Sequence, residues 1–144
     1  MRSIFVFLKK VKQEKVVDKL NDICENYANL QWILKKQDDP VLYIKFDNDN
    51  SILNDLEEDT KSRINIMLSG ELGYIIAIDI SGRHHGEEEL LLVLNKLLKS
   101  FQGFAMDDFT EQLWTIDEII KGEKKENHRF FDYIGWYDET HKLL

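Results

Sequence analysis

Residues 73–101, GYIIAIDISGRHHGEEELLLVLNKLLKSF, decide the fold class. Tyr74 to Ile80 is a nearly unbroken apolar run, as a strand buried on both faces requires. Ser81 to Gly86 carries the turn residues. Three glutamates then open a helix in which Leu90, Leu94, Leu97, Leu98 and Phe101 recur at the spacing of one packing face. Glu87, Glu88 and Glu89 suit the positive N-terminal end of that helix, and Lys96 and Lys99 its negative C-terminal end. The unit is a central strand, a polar turn and an amphipathic helix.

Working outward, Ser3 to Leu8 (SIFVFL) reads as the first strand. From Lys12 the period becomes helical. Val16, Leu20, Ile23, Cys24 and Tyr27 fall on one face, which predicts a helix ending by Asn29. Cys24 on that stripe is expected to be a buried structural thiol. As the single cysteine it has no partner for an internal disulfide, in keeping with a reducing compartment. Gln31 to Lys36 and Val41 to Phe46 predict an antiparallel hairpin around Gln37-Asp38-Asp39-Pro40. Ile64, Ile66 and Leu68 alternate with Asn65 and Met67, which predicts a half-buried strand. Ser69 to Gly73 would then turn it into the central strand. Phe101 to Asp108 reads as extended, and Ile116 to Lys121 as a short helix stopped by Gly122. Phe130, Phe131, Tyr133, Ile134, Trp136 and Tyr137 form an aromatic C-terminal segment that would complete the core, ahead of a frayed end from Asp138 to Leu144.

These elements predict a single α+β domain over 1–144, with a four- to six-stranded, largely antiparallel sheet and two main helices packed on one face. The chain has 144 residues, enough for one sizeable core. No apolar run approaches the ~20 residues of a membrane span, and the N-terminal run is too short for a signal peptide. A cytoplasmic protein is the expectation. The formal charge of −8 is uneven. Residues 1–72 carry 11 basic and 13 acidic side chains, whereas residues 73–144 carry 8 and 14. Such a surface repels nucleic-acid backbones and attracts cationic partners, and net negative charge also serves solubility.

Three clusters bear on chemistry. Asp47, Asp49, Ser51, Asp55 and Glu58 fit positions of a calcium loop, but Ile52 stands where the sharp turn needs glycine. They read instead as a polar turn leading into a short helix capped near Asn50 or Ser51. Arg83, His84 and His85, beside Asp79 and Glu87, suggest an anion site or a small catalytic centre together with Asp107. Three glutamates in the following helical turn oppose an anion there, and adjacent turn histidines diverge, leaving His128 and His141 as the remaining histidine ligands. No catalytic residue, metal ligand set or cofactor is assigned. Asp107 and Asp108 form the third cluster, with Glu111, Asp117 and Glu118 nearby and Phe104, Met106, Phe109, Trp114 and Ile116 interleaved. Carboxylates around an aromatic centre suit recognition of a lysine-rich protein. The candidate partner-binding residues are therefore Asp107, Asp108, Glu111, Trp114, Asp117 and Glu118.

From Ser81 through the Tyr137 region three segments, SGRHHGEEELLLVL, GFAMDDFTEQLWTIDEIIKG and HRFFDYIGWYDE, carry a further pattern. Its ordered parts are Asp107-Asp108, Leu113-Trp114-Thr115, Glu118-Ile119, Gly122, Phe130-Phe131-Asp132-Tyr133 and Gly135-Trp136. This pattern resembles small bacterial proteins of the toxin-immunity families. The first 72 residues show no comparable match. The resemblance implies stoichiometric neutralisation of a protein toxin, an acidic protein set against a basic one, with no catalysis of its own. Asp107, Asp108, Trp114 and Trp136 are its characteristic positions. Two other readings stand beside it: a small ligand-binding or enzymatic domain using Arg83, His84, His85 and Asp107, and a homodimeric regulatory or structural protein.

Overall fold

The computed structural model describes residues 2–132 and 135. Its frame is a six-stranded sheet in the order β2-β3-β4-β5-β1-β6. The strands are β1 (Arg2–Lys9), β2 (Glu25–Ala28), β3 (Gln31–Lys36), β4 (Asp39–Phe46), β5 (Leu72–Ile80) and β6 (Gly103–Asp107). Every neighbouring pair is antiparallel. The apolar run at Tyr74–Ile80 lies in β5, paired by β4 on one side and β1 on the other, and its side chains enter apolar clusters on both faces of the sheet, Ile76, Ile78 and Ile80 on one and Ile75 on the other. Among the described residues five helices accompany the sheet: α1 (Gln13–Ile23), α2 (Ser51–Asp55), α3 (Glu58–Met67), α4 (Glu87–Ser100) and α5 (Ile116–Lys121). A two-stranded ribbon, β7 (Lys124–Lys125) and β8 (His128–Arg129), turns through Glu126 and Asn127, both with positive φ.

Strand alternation sorts the core into two layers. Ile4, Val6 and Leu8 of β1 and Ile76, Ile78 and Ile80 of β5 meet Val16 and Leu20 of α1 and Leu90, Val93, Leu94 and Leu97 of α4. The intervening residues Phe7, Ile75, Phe104 and Met106 face the opposite way, against Ile64 and Leu68. Phe7 and Phe104, register partners on β1 and β6, stack with centroids 5.7 Å apart. Helical residues thus cover both faces. The β3–β4 hairpin turns through Gln37 and Asp38 alone, both left-handed, the backbone twist that a two-residue connection demands.

Two sequence expectations are corrected. Ile64 to Leu68 is not a strand but the last turn of α3 and its cap, so Ser69–Gly73 joins a helix to β5. Alternation over five residues also contains an i, i+4 pair, and that pair is what the core takes. Thr60, Ile64 and Leu68 are buried at intervals of four, whereas Ile66 is 73% exposed. The Lys61–Glu58 and Arg63–Asp59 ion pairs span one helical turn outside. Secondly, α1 stops at Ile23. Cys24 is extended, and Glu25–Ala28 forms the edge strand β2 on β3. Backbone partners along β3 replace the helical bonds of this segment. Asn26 Nδ2 secures the turn by donating to the carbonyls of Ala28 and Gln31. Tyr27 consequently leaves the helical stripe and is 51% exposed, with its hydroxyl on Gln31 Oε1 at 2.7 Å. Cys24 is half-buried, and burial pushes its thiol up to about 11, well into the unreactive range. The aromatic segment is described for Phe130 and Phe131, both buried. Tyr133, Ile134, Trp136 and Tyr137, the end from Asp138 and the histidine at 141 lie outside the described residues.

Candidate functional site

The Asp107 cluster is positioned by the pairing of β1 with β6. Phe5 lies opposite Met106, and Ile4 opposite Asp107. This register sets Phe5 and Met106 side by side on the α3 face, where β6 ends and the chain bends into Asp108–Thr110. Phe5, Met106, Asp107, Asp108, Phe109, Thr110 and Glu111 line an open concavity of about 320 Å³. Its floor is aromatic and thioether. Its rim is carboxylate.

The three acids play different parts. Asp107 is 3% exposed, and its oxygens accept from the backbone N–H groups of Phe131 (2.8 Å), Phe109 (3.2 Å) and Thr110 (3.4 Å). Burial raises its pKa above the ordinary carboxylate value by more than those donors lower it, and the adjacent Asp108 carboxylate pushes the same way. Asp108 is exposed and accepts from the Ser3 backbone N–H at 3.0 Å through Oδ2. Glu111 reaches the start of α3, where Oε1 accepts from the Glu57 N–H at 3.2 Å and from the Thr60 hydroxyl. Arg63 donates to the Glu111 carbonyl at 3.1 Å. Among the described residues Asp108 Oδ1 and Glu111 Oε2 take no hydrogen bond, so one oxygen of each stays available at the rim.

Trp114, Asp117 and Glu118 are not part of this concavity. Trp114 is 2% exposed, exchanges two 2.8 Å backbone bonds with Ala105, and packs edge-on against Phe130. Its indole N–H is buried without an acceptor among the described residues. Lys125 Nζ stands 4.9 Å from its ring centroid. Glu118 closes a capping box with Thr115 at the start of α5 and pairs with Lys125 at 3.2 Å. Burial raises the Glu118 pKa, but the Thr115 N–H and Lys125 outweigh it and hold the carboxyl below its ordinary value. Asp117 is exposed and faces Lys99 at 3.7 Å.

The Arg83–His84–His85 turn lies at the far end of β5, joined to the β3–β4 hairpin. Arg83 pairs with Asp39 Oδ1 at 2.7 Å, and His84 Nε2 lies 2.6 Å from Asp39 Oδ2. Arg2 crosses from β1 to the Ser81 and His84 carbonyls, with its guanidinium 5.5 Å from the Phe131 ring centroid. Asp107 lines the other concavity and not the recesses beside this turn. Among the described residues no group of three or more His, Cys, Asp or Glu side chains is arranged to hold a metal ion, and no helix is long and apolar enough to cross a membrane.

No family model, curated protein or solved structure matches this chain.

The concavity therefore has to be read from its own residues. Sequence reasoning found Asp107, Asp108, Glu111, Met106 and Phe109 because they are neighbours in the chain. It missed Phe5, which reaches the floor only through strand pairing, and Thr60 and Arg63, which fix Glu111 from a stretch to which the sequence reading gave no element. The one available signal for Phe5 was the apolar run at 4–8, too continuous for a strand with a solvent-facing side.

Proposed function

We propose that this chain is an immunity protein, a stoichiometric binder that neutralises a cognate bacterial toxin of basic surface and performs no chemistry of its own. The observation that carries the reading is the Phe5–Met106–Phe109 floor with Asp108 and Glu111 at its rim. An apolar, aromatic centre takes the stem of a lysine or arginine, and the free carboxylate oxygens meet its charged head. The uneven negative charge of the chain adds long-range attraction for a cationic protein, which speeds encounter more than it strengthens the complex. The resemblance over residues 81–137 supports the same reading from sequence. Asp107 serves this surface from below, by holding Phe109 and Thr110 in place.

The test is purification of the tagged protein from its native cell, identification of any equimolar partner, and measurement of growth rescue when the two are co-expressed. The expected partner is basic, inhibits growth alone and is neutralised by this chain. Asp108→Lys should slow association and reduce its salt dependence. A control reversal at Asp18, exposed on α1, should not. An equimolar partner that is harmless to cells, or association indifferent to Asp108→Lys, would overturn the reading.

A further inference from the structure

The outer side of α4 carries exposed apolar side chains beside a charged groove. Leu91 and Leu92 are 37% and 51% exposed, although the buried face of the same helix already carries five apolar residues. Leu92 and Leu34 of β3 line an open groove of about 290 Å³, with Lys35 and Lys36 on its strand wall and Glu88 and Glu89 on its helix wall. A second recess of about 560 Å³ continues the groove past Lys36, Glu88 and Glu89 to the Arg83–Gly86 turn. Lys35 is paired with Glu25 at 3.1 Å. Among the described residues the side chains of Lys36, Glu88 and Glu89 have no hydrogen-bond or ion-pair partner.

An apolar strip flanked on one wall by an unpaired cation and on the other by unpaired anions is complementary to itself. In a two-fold interface each contact occurs twice with the roles exchanged. An axis passing beside Leu92 would set Lys36 of each copy against Glu88 and Glu89 of the other, with Leu34 and Leu92 closed between them. A foreign partner of a single charge sign would gain one wall and be repelled by the other. We infer that the α4–β3 groove is a homodimer interface whose occupant is a second copy of this chain.

The surface is independent of the acidic concavity. Leu34 and α4 belong to the core layer on one face of the sheet, whereas Phe5 and Met106 belong to the layer on the other. Dimerisation through α4 therefore leaves the Asp108 rim open in both copies.

Sedimentation equilibrium over a range of concentrations tests the inference on the full chain. The wild type is expected to pass from monomer to dimer, and Leu92→Glu to remain monomeric, with a thermal melt that matches the wild type at concentrations where both are monomeric, since this side chain is half exposed. Lys36→Glu and Glu88→Lys should each weaken dimerisation roughly tenfold, because one unfavourable pairing is made twice. The double variant Lys36→Glu/Glu88→Lys should recover to within about threefold of the wild type, as paired charges that couple directly must. A wild type that stays monomeric throughout overturns the inference. So does a dimer indifferent to Leu92→Glu, or a double reversal no better than either single one.

Discussion

The backbone N–H of Phe131 donates to the carboxylate of Asp107 across 2.8 Å, joining positions 24 residues apart inside the protein. Phe131 is held there at φ 57, in the left-handed region, where its ring packs against Phe109 and Phe130. One buried carboxylate thus fastens the end of β6, the Phe109–Thr110 bend and the aromatic segment to each other. The bend is the wall of the acidic concavity, so the anchor and the candidate surface are mechanically one unit.

Replacing Asp107 by Asn leaves one acceptor oxygen where two are in use and turns an NH₂ group toward an N–H donor. Asp107→Asn is expected to lower stability by about 1–3 kcal/mol, read from urea denaturation at neutral pH. The folded-state pKa is raised above the ordinary 3.8. The contribution of this group to stability is therefore complete below the unfolded pKa and declines as pH rises through the folded one. The gap between wild type and variant should accordingly be wider in acid than at neutrality. A variant as stable as the wild type at both pH values would remove Asp107 from the anchoring role.

The helical assignment of Glu58–Met67 makes a sharp prediction about two isoleucines. Ile64 is 1% exposed and Ile66 73%. Ile64→Asp places an unpaired charge in the α3 core layer and should cost at least ~3 kcal/mol. Ile66→Asp should stay within about 0.5 kcal/mol of the wild type. On a strand the two would share a face and respond alike, so equal denaturation midpoints for the variants would contradict α3.

Glu118 governs part of the acid sensitivity. Its folded pKa lies below the ordinary 4.5, so the stability it contributes is present above that value and is lost as pH falls through the folded pKa. Glu118→Gln removes the titrating group while keeping a side chain able to close the capping box. Thermal melts taken through the acid range should show a shallower loss of stability for the variant. Superimposable acid limbs would mean that the Lys125 and Thr115 contacts do not discriminate between the charged and neutral carboxyl.

Local chemistry settled much of the architecture in advance. The run Tyr74–Ile80, the helix after Gly86, the first strand, the Gln31–Phe46 hairpin and the short helix ended by Gly122 are each legible from residues adjacent in the chain. Gly86 shows how literal that can be. Its φ is 73, and a Cβ there would stand 2.5 Å from Ile80 Cγ2, so the turn closes only around glycine. The errors fell where local signals were degenerate. Ile64-Ile66-Leu68 satisfies both periods over so short a span, and Glu25–Ala28 becomes a strand only because β3 offers it an edge.

The candidate site divides along the same line. Which acids and aromatics are neighbours in the chain, and the excess of negative charge, were determined by the sequence alone. Which of them face outward was decided by tertiary packing. Asp107 and Trp114 went inside, Asp108 stayed at the surface, Glu111 was drawn to the helix cap of α3, and Phe5 arrived from 101 positions away in register with Met106. Side-chain type limits what a residue can contact. Burial and pairing across the sheet depend on segments that are distant in the chain, and no local pattern encodes them.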